Sequence, residues 1–329
     1  MVIAYGLRWK IIEIKLVKLI HGAQIQMPIE LRQLRQKLIY EDTAGFDSIT
    51  TDLDDIAALS QLAEIKQKKF GNQAKYYFVC AAVLGLVTFS ISSVTIASGF
   101  LNIAVFLLYV GLVSLIIAGI YALFRMFKFQ RLNLINYRHN LIRQVMQMLG
   151  RDLEDTHSIY LKLSFQKGEK KEYKTNTLAH PYKSGWKIDI FENQWLNIKG
   201  RFLDKTRFVL TITELSKRQY GWKRSSSGKN KYKSKVKSGG LEVNLYLTYS
   251  QRRYGAVKLL QNDVRDAIKI PLFSKLRGLK VTDRNMNLTV RISPRVAQSQ
   301  EEIYQTIVAM FLSLYQVLNL AKMLSKEIV

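Results

Sequence analysis

A basic segment, residues 216–240, carries the clearest chemistry in this sequence. It contains nine lysine or arginine side chains and no acidic one. From Lys229 to Lys237 a lysine occurs at every second position. Successive side chains of an extended strand point to opposite faces, so this spacing predicts a strand with five lysines on one face. A row of ammonium groups attracts anions, and the segment is therefore a candidate anion-binding site.

The same segment contains turn residues and aromatic side chains. The run from Ser225 to Gly228 predicts the tip of a β-hairpin, because serine and glycine are typical turn residues. Tyr220 and Trp222 then supply aromatic rings on the strand that pairs with the lysine-bearing one. The candidate anion-binding residues are Lys217, Arg218, Tyr220, Trp222, Lys223, Arg224, Lys229, Lys231, Lys233, Lys235 and Lys237.

Three interpretations of this hairpin are open at the level of sequence. A domain tethered to a membrane lies within reach of anionic lipid headgroups, where each Lys or Arg near the surface contributes about 1 kcal/mol. Lysines beside stacking aromatic rings also suit a phosphorylated soluble ligand or a nucleic acid. A segment rich in lysine, serine, glycine and asparagine is equally typical of a solvated loop that binds nothing.

Catalytic chemistry has no comparable signal. Gly221 and Gly228 resemble the glycines of a phosphate-binding loop, but six residues separate them and Asn230 follows Lys229 where such a loop needs Ser or Thr. The four histidines are scattered, and a single cysteine, Cys80, excludes a disulfide within one chain. The sequence therefore predicts a protein that is not an enzyme, with no cofactor and no resident metal.

A long uncharged run precedes the basic hairpin in the sequence and indicates a membrane protein. Residues 76–124 are forty-nine consecutive positions without Asp, Glu, Lys, Arg or His. A bilayer span needs about 20 apolar residues, so 76–97 and 101–124 are predicted as two transmembrane helices joined by a tight turn. Basic residues flank both outer ends, which predicts a multi-pass integral membrane protein with cytoplasmic N- and C-termini.

Helices are predicted on the cytosolic side of both spans. Residues 51–75 form a helix that leads into the membrane, and residues 125–150 form one that leads out. Residues 1–50 are amphipathic or irregular, and Met27 is an alternative start. If the two helices make an antiparallel stalk, acidic and basic side chains at equal height should pair. The expected pairs are Glu64 with Arg138, and Asp54 or Asp55 with Arg143.

The remaining chain predicts a β domain closed by a helix. Residues 151–296 show a period of two, which is typical of an antiparallel sheet or small barrel. Residues 297–329 form an amphipathic helix that begins with the capping box of Ser299 and Glu302. This helix covers the open face of the sheet, mediates self-association, or forms a third span. The predicted fold class is thus an α+β membrane protein with a two-helix hairpin and a helical stalk.

Charge distribution completes the functional prediction. The net charge is +25, of which +7 belongs to residues 1–150 and +18 to residues 151–329. We expect a non-enzymatic, membrane-anchored binding or scaffold protein whose basic β domain docks on anionic lipid or an acidic partner. The alternative is a ligand-gated membrane effector whose β domain senses a phosphorylated or nucleotide signal and drives clustering of the hairpins or pore formation. Such an effector could assemble as a homo-oligomer. A two-helix transmembrane hairpin that carries a cytosolic β domain resembles the layout of some bacterial defence effectors that bind a nucleotide signal and then damage the membrane. A hydrolase of lipid or nucleotide is the third class considered.

Overall fold

The computed structural model of the chain is an assembly of helices and one open antiparallel sheet, which confirms the α+β class. It describes residues 37–95, 102–130, 136–154, 157–224, 226, 228–258, 260 and 264–327. The predicted turn between the two apolar helices lies outside these residues.

The sheet contains eight antiparallel strands. Their order is β1-β2-β4-β5-β6-β8-β7, and β3 pairs with β4 beside β2. Two edge strands, β1 and β7, remain unjoined, so the predicted sheet-or-barrel choice resolves to an open sheet. The strands are β1 Ile39–Ala44, β2 Ile159–Ser164, β3 Lys174–Ala179, β4 Lys187–Arg201, β5 Arg207–Arg224, β6 Asn230–Thr248, β7 Ser274–Val281 and β8 Asn285–Ile292.

Strand β1 corrects the expectation that residues 1–50 are only amphipathic or irregular. Its side chains alternate for just six residues, too few to stand out in the sequence. The strand exists because β2, far along the chain, supplies its hydrogen-bonding partner from Ile39↔Ser164 to Ala44↔Ile159. Tyr40 is fully buried and its hydroxyl donates to Asp52 Oδ2 at 2.7 Å, which joins the strand to the helix that follows.

Helices differ from the predicted stalk in their bounds. The first begins at Phe46 rather than residue 51 and continues without a break into the apolar run. Within the predicted helix 125–150, one helix ends at Gln130 and another begins at Asn136, and residues 131–135 lie outside the described residues. The helices are α1 Phe46–Thr95, α2 Asn102–Gln130, α3 Asn136–Leu149, α4 Gln251–Tyr254, α5 Val264–Ala267 and α6 Gln300–Glu327.

Three helices, α1, α2 and α6, are long and apolar enough to cross a membrane. The apolar windows of α1 and α2 are only 17% and 11% buried, against 44% for α6. The first two helices pack against each other, with Ala81 and Ala122 buried and Gly119 closely approached by the ring of Phe78. Their other sides leave large apolar side chains uncovered, such as Leu86 and Phe89.

The hydrophobic core lies on one face of the sheet, which we call the inner face. Alternate residues of the central strands, such as Leu210 and Leu245, are fully buried there against α3, α6 and the first part of α1. Each buried side chain of this size contributes roughly 1.5–3 kcal/mol to folding. The predicted apolar stripe of α6 belongs to this core through Ile303, Ile307, Met310, Leu314, Leu318 and Ala321.

Helices α1 and α3 lie side by side, and one of the predicted ion pairs is present. Arg143 Nε lies 3.4 Å from Asp54 Oδ1. The predicted pair of Glu64 with Arg138 is wrong. Glu64 pairs instead with Lys68 of its own helix, and Arg138 points into the β domain, because α3 packs on the sheet.

Candidate anion-binding hairpin

Strands β5 and β6 continue beyond the core as a long hairpin. Their antiparallel pairing extends from Arg207↔Thr248 to Arg224↔Asn230, with one shift of register. Strand β4 accompanies β5 only as far as the pair Lys187↔Tyr220, so the last part of the hairpin is a two-stranded ribbon. Of the predicted tip, Ser226 and Gly228 are described, with Gly228 at a φ of +77°, whereas Ser225 and Ser227 lie outside the described residues. We call residues 216–240 the basic hairpin.

A bulge sets which face of the basic hairpin carries the lysines. In β6 the core residues, such as Leu241 and Val243, and the four lysines from Lys231 to Lys237 all have odd numbers. A regular strand would therefore turn the lysines towards the core side. Leu215 pairs with Gly240 but Ser216 pairs with Ser238, so one residue is unpaired and the alternation reverses. The lysines consequently lie on the outer face.

Six lysines share this outer face. Lys217 lies directly opposite Lys237, and Lys223 lies directly opposite Lys231. Like charges in opposed positions destabilise a sheet, so the hairpin retains these pairs at a cost. Within the part of the chain that the structure describes, no acidic side chain forms an ion pair with any of them. The lysine face consists of Lys217, Lys223, Lys231, Lys233, Lys235 and Lys237.

Aromatic side chains occupy the opposite, inner face of the hairpin. Trp222 and Tyr232 are cross-strand partners with ring centroids 5.6 Å apart, and Tyr220 lies 6.2 Å from Tyr232. Trp222 is 65% exposed and Tyr232 is 55% exposed, although both are large amphipathic rings. Because the rings and the lysine face point in opposite directions, they do not line one common groove. This separation weighs against a nucleic-acid groove that combines stacking with phosphate contacts.

Arg218 differs from the other candidate residues because it is already paired with a buried carboxyl group, which it shares with Lys174. Its guanidinium lies 2.8 Å from Asp189 Oδ2, and Lys174 Nζ lies 2.8 Å from Asp189 Oδ1. Asp189 is 1% exposed. Burial alone would raise the pKa of this carboxyl, but hydrogen bonds from Lys174, Arg218 and Thr177 hold the pKa well below its ordinary value. Arg218 therefore braces β5 against β4 and β3.

Trp186 supports the hairpin from the outer face and was not among the predicted site residues. Its indole Nε1 donates to the carbonyl oxygen of Trp222 at 3.1 Å. A Cβ atom at Gly221 would meet the Trp186 ring at 2.6 Å, so only glycine allows this approach. Lys183 Nζ lies 4.5 Å from the same ring. A glycine within a strand was the available signal, because it marks a close contact.

Arg138 ties the basic hairpin's strand to the helices. Its side chain is 1% exposed, and its Nη2 atom lies 2.6 Å from Glu214 Oε2. Its Nη1 atom donates to the carbonyl oxygen of Ser164 at 2.8 Å and to that of Gln166 at 3.3 Å. The guanidinium also lies 4.9 Å from the ring of Trp195. These contacts satisfy a buried cation, as its desolvation requires.

A cavity of about 480 Å³ lies at the opposite end of the sheet. Its walls include the aromatic rings of Phe202, Phe311 and Tyr315, and it is also lined by charged side chains of both signs, Arg253, Lys322, Asp152 and Asp204. The Tyr315 hydroxyl is buried near Thr206, and burial raises its pKa strongly. Apolar walls with a few polar groups are typical of a small-molecule site.

Comparison of the chain with protein-family models, with curated proteins and with solved structures finds no match. Among the residues that the structure describes, no three His, Cys, Asp or Glu side chains are grouped to hold a metal ion. The functional interpretation therefore depends on the geometry and charge of the site.

Proposed function

We propose that this chain is a non-enzymatic, membrane-anchored binding protein whose basic hairpin docks on an anionic surface. The observation that carries the proposal is the lysine face, with the opposed pairs Lys217↔Lys237 and Lys223↔Lys231. A residue arrangement that lowers stability without a compensating contact is typical of a functional surface. An anionic surface would supply the missing compensation.

Anchoring rests on α1 and α2. Their uncovered apolar side chains, such as Leu86 at 70% and Phe106 at 65% exposure, would be unfavourable in water over so large an area. In a bilayer they face lipid, and the helical backbone satisfies its own hydrogen bonds. The basic residues beside both helices support a cytoplasmic location for the β domain and both termini, because Lys and Arg near the ends of spans favour that side.

Salt-dependent binding to an immobilised polyanion tests this function. The full chain, held in nanodiscs of neutral phosphatidylcholine, is applied to heparin and eluted with a salt gradient. The proposal predicts that changing the six residues of the lysine face to Gln moves elution to lower salt. A variant with the same loss of charge elsewhere should elute near the wild type. That control changes the exposed residues Lys167, Lys170, Lys171, Lys205, Lys275 and Lys280 to Gln.

Equal shifts for both variants would mean that net charge, rather than the hairpin, determines binding. That result would contradict the proposed function. Binding of the wild type that does not respond to salt would also contradict it, because release of counterions is the expected driving force.

The cavity beside Tyr315 favours a second candidate function, the ligand-gated membrane effector. A small molecule with an apolar ring and polar groups of both charge signs would fit its aromatic walls, the cations Arg253 and Lys322 and the acidic side chains Asp152 and Asp204. In that case, adding such a molecule to vesicles that contain the reconstituted chain should release a dye trapped inside them. Tyr315→Phe and Lys322→Gln should weaken this response, whereas the Gln changes on the lysine face should not.

A further inference from the structure

We infer that the basic hairpin docks tip-first on the bilayer that holds the chain's own helices. The partner is then the anionic lipid of the cytoplasmic leaflet, reached in cis. This inference rests on the proposed function for its anion binding, and it adds the identity of the surface and the part of the hairpin that touches it.

Helices α1 and α3 run in opposite directions. At one end Gly150, which follows α3, lies against the ring of Phe46 at the start of α1. Further along, Arg143 pairs with Asp54. Helix α1 continues from Asp54 into its apolar run. The end of α3 at Asn136 is therefore the end nearer the membrane.

Strand β5 and helix α3 also run in opposite directions. Near the start of α3, Arg138 contacts Glu214. Beyond the end of α3, Leu153 forms a bridge with Phe202. Leu153 and Phe208, which is near the start of β5, both lie against Gly200 of β4. Since the Arg138 end of α3 is the membrane end, β5 beyond Glu214 extends towards the membrane. That extension is the basic hairpin.

Lengths show that the tip reaches the bilayer surface. Arg143 is level with Asp54, so Arg138, about five residues nearer the membrane, is level with Leu59 of α1. From Leu59 to Lys75, the last charged residue before the apolar run, α1 rises about 24 Å. From Glu214 to Arg224 the hairpin extends about 33 Å. The tip therefore reaches the headgroups even if the hairpin leans away from α1 by about 40°.

Only the tip of the lysine face lies within electrostatic range of the headgroups. Lys223 and Lys231 oppose each other one pair from the last pair of the ladder. Lys217 and Lys237 are about 20 Å further from the tip, well beyond the screening length of about 8 Å at physiological salt. At the tip, the exposed rings of Trp222 and Tyr232 have the amphipathic character that suits the lipid interface.

Two opposed lysine pairs on one face provide matched variants. The tip variant combines Lys223→Gln with Lys231→Gln, and the base variant combines Lys217→Gln with Lys237→Gln. Each removes two charges from directly opposed positions of the same two strands. Ser226→Cys, at the exposed tip, carries a bimane label in a background where Cys80→Ser removes the native thiol.

Quenching of the bimane by lipids with a nitroxide on the headgroup measures contact with the surface. The full chain is placed in phosphatidylcholine nanodiscs that contain this quencher, with or without phosphatidylserine. We expect quenching that depends on phosphatidylserine, that is lost in the tip variant and that persists in the base variant. Absence of quenching in phosphatidylserine nanodiscs, or equal loss in both variants, would overturn tip-first docking.

Two further outcomes separate this inference from the proposed function. Quenching that arises only from added phosphatidylserine vesicles, and not from the nanodisc itself, would show docking in trans and overturn the inference. Loss of heparin binding in the six-residue variant would then still support the proposed function. If heparin binding does not depend on the lysine face, the proposed function fails, whatever the position of the tip.

Discussion

Arg138 Nη2 lies 2.6 Å from Glu214 Oε2, and this contact joins the helix that follows the apolar pair to the strand that carries the basic hairpin. The arginine is almost fully buried, whereas the Glu214 side chain is 28% exposed. One buried guanidinium therefore fixes the level of β5 relative to α3. The proposed reach of the hairpin tip to the membrane depends on this contact.

Replacing Arg138 should destabilise the β domain and release the hairpin. Arg138→Ala leaves Glu214 without its partner and empties the space beside Trp195, so we expect a loss of about 3–5 kcal/mol in unfolding free energy. Arg138→Lys keeps the charge but cannot donate to Glu214, Ser164 and Gln166 in the same geometry, so it should recover only part of this loss. Chemical denaturation followed by tryptophan fluorescence measures both variants. A Lys variant as stable as the wild type would contradict the role of the guanidinium.

Gly240 should be intolerant of any side chain. Its φ is +91°, and an added Cβ would clash with the carbonyl oxygen of Ile292. Gly185 also has a positive φ, +72°, but nothing lies within 4 Å of an added Cβ there, so it is the matched control. We expect Gly185→Ala to cost about 1–2 kcal/mol of unfolding free energy from backbone strain alone. Gly240→Ala should cost more, and equal effects would show that the bulge relaxes around the methyl group.

His139 should make stability fall at mildly acidic pH. Burial, and secondarily the nearby charge of Arg143, lowers the pKa of this imidazole in the folded chain. Below the unfolded pKa of about 6.5 the unfolded chain takes up a proton that the folded chain resists, so unfolding becomes easier as pH falls. The midpoint of thermal unfolding should therefore drop less in His139→Gln than in the wild type between about pH 7.5 and pH 5.5. Parallel pH profiles would contradict the assignment.

The hairpin should trade stability against anion binding at Lys231. Lys231→Glu replaces a like-charge pair with an opposite-charge pair across from Lys223, which should stabilise the two-stranded ribbon by about 0.5 kcal/mol. The same change should weaken heparin binding. Amide hydrogen exchange of residues 221–233 measures the first effect, and salt elution the second. Weaker binding without slower exchange would indicate that the opposed lysines carry no strain in the ribbon.

The sequence predicted the parts of this site that depend on local periodicity. Alternation from Lys229 to Lys237 is a property of one strand, so the single lysine face follows directly from it, and the turn between the strands follows from the serine and glycine run before it. The face on which the lysines lie depends on the bulge beside Gly240, which forms only when β5 and β6 pair.

Tertiary contacts account for the predictions that were wrong. Arg138 was assigned to Glu64 by counting along two helices, but α3 packs on the sheet and directs Arg138 to Glu214. Strand β1 depends on a partner far along the chain, and Trp186 depends on the absence of a side chain at Gly221. Of these relationships, only the Trp186 contact has a local signal in the sequence, the glycine at position 221 within a strand.

Hydrogen exchange of the unmodified chain tests the central claim most directly. The chain is compared in nanodiscs of phosphatidylcholine with and without phosphatidylserine, and exchange is followed in residues 221–233. The exposed strand β3 serves as the internal control. A two-stranded ribbon is only marginally stable, so docking should slow its exchange measurably when phosphatidylserine is present, while exchange in β3 stays unchanged. Identical exchange of the hairpin in both membranes would contradict the account.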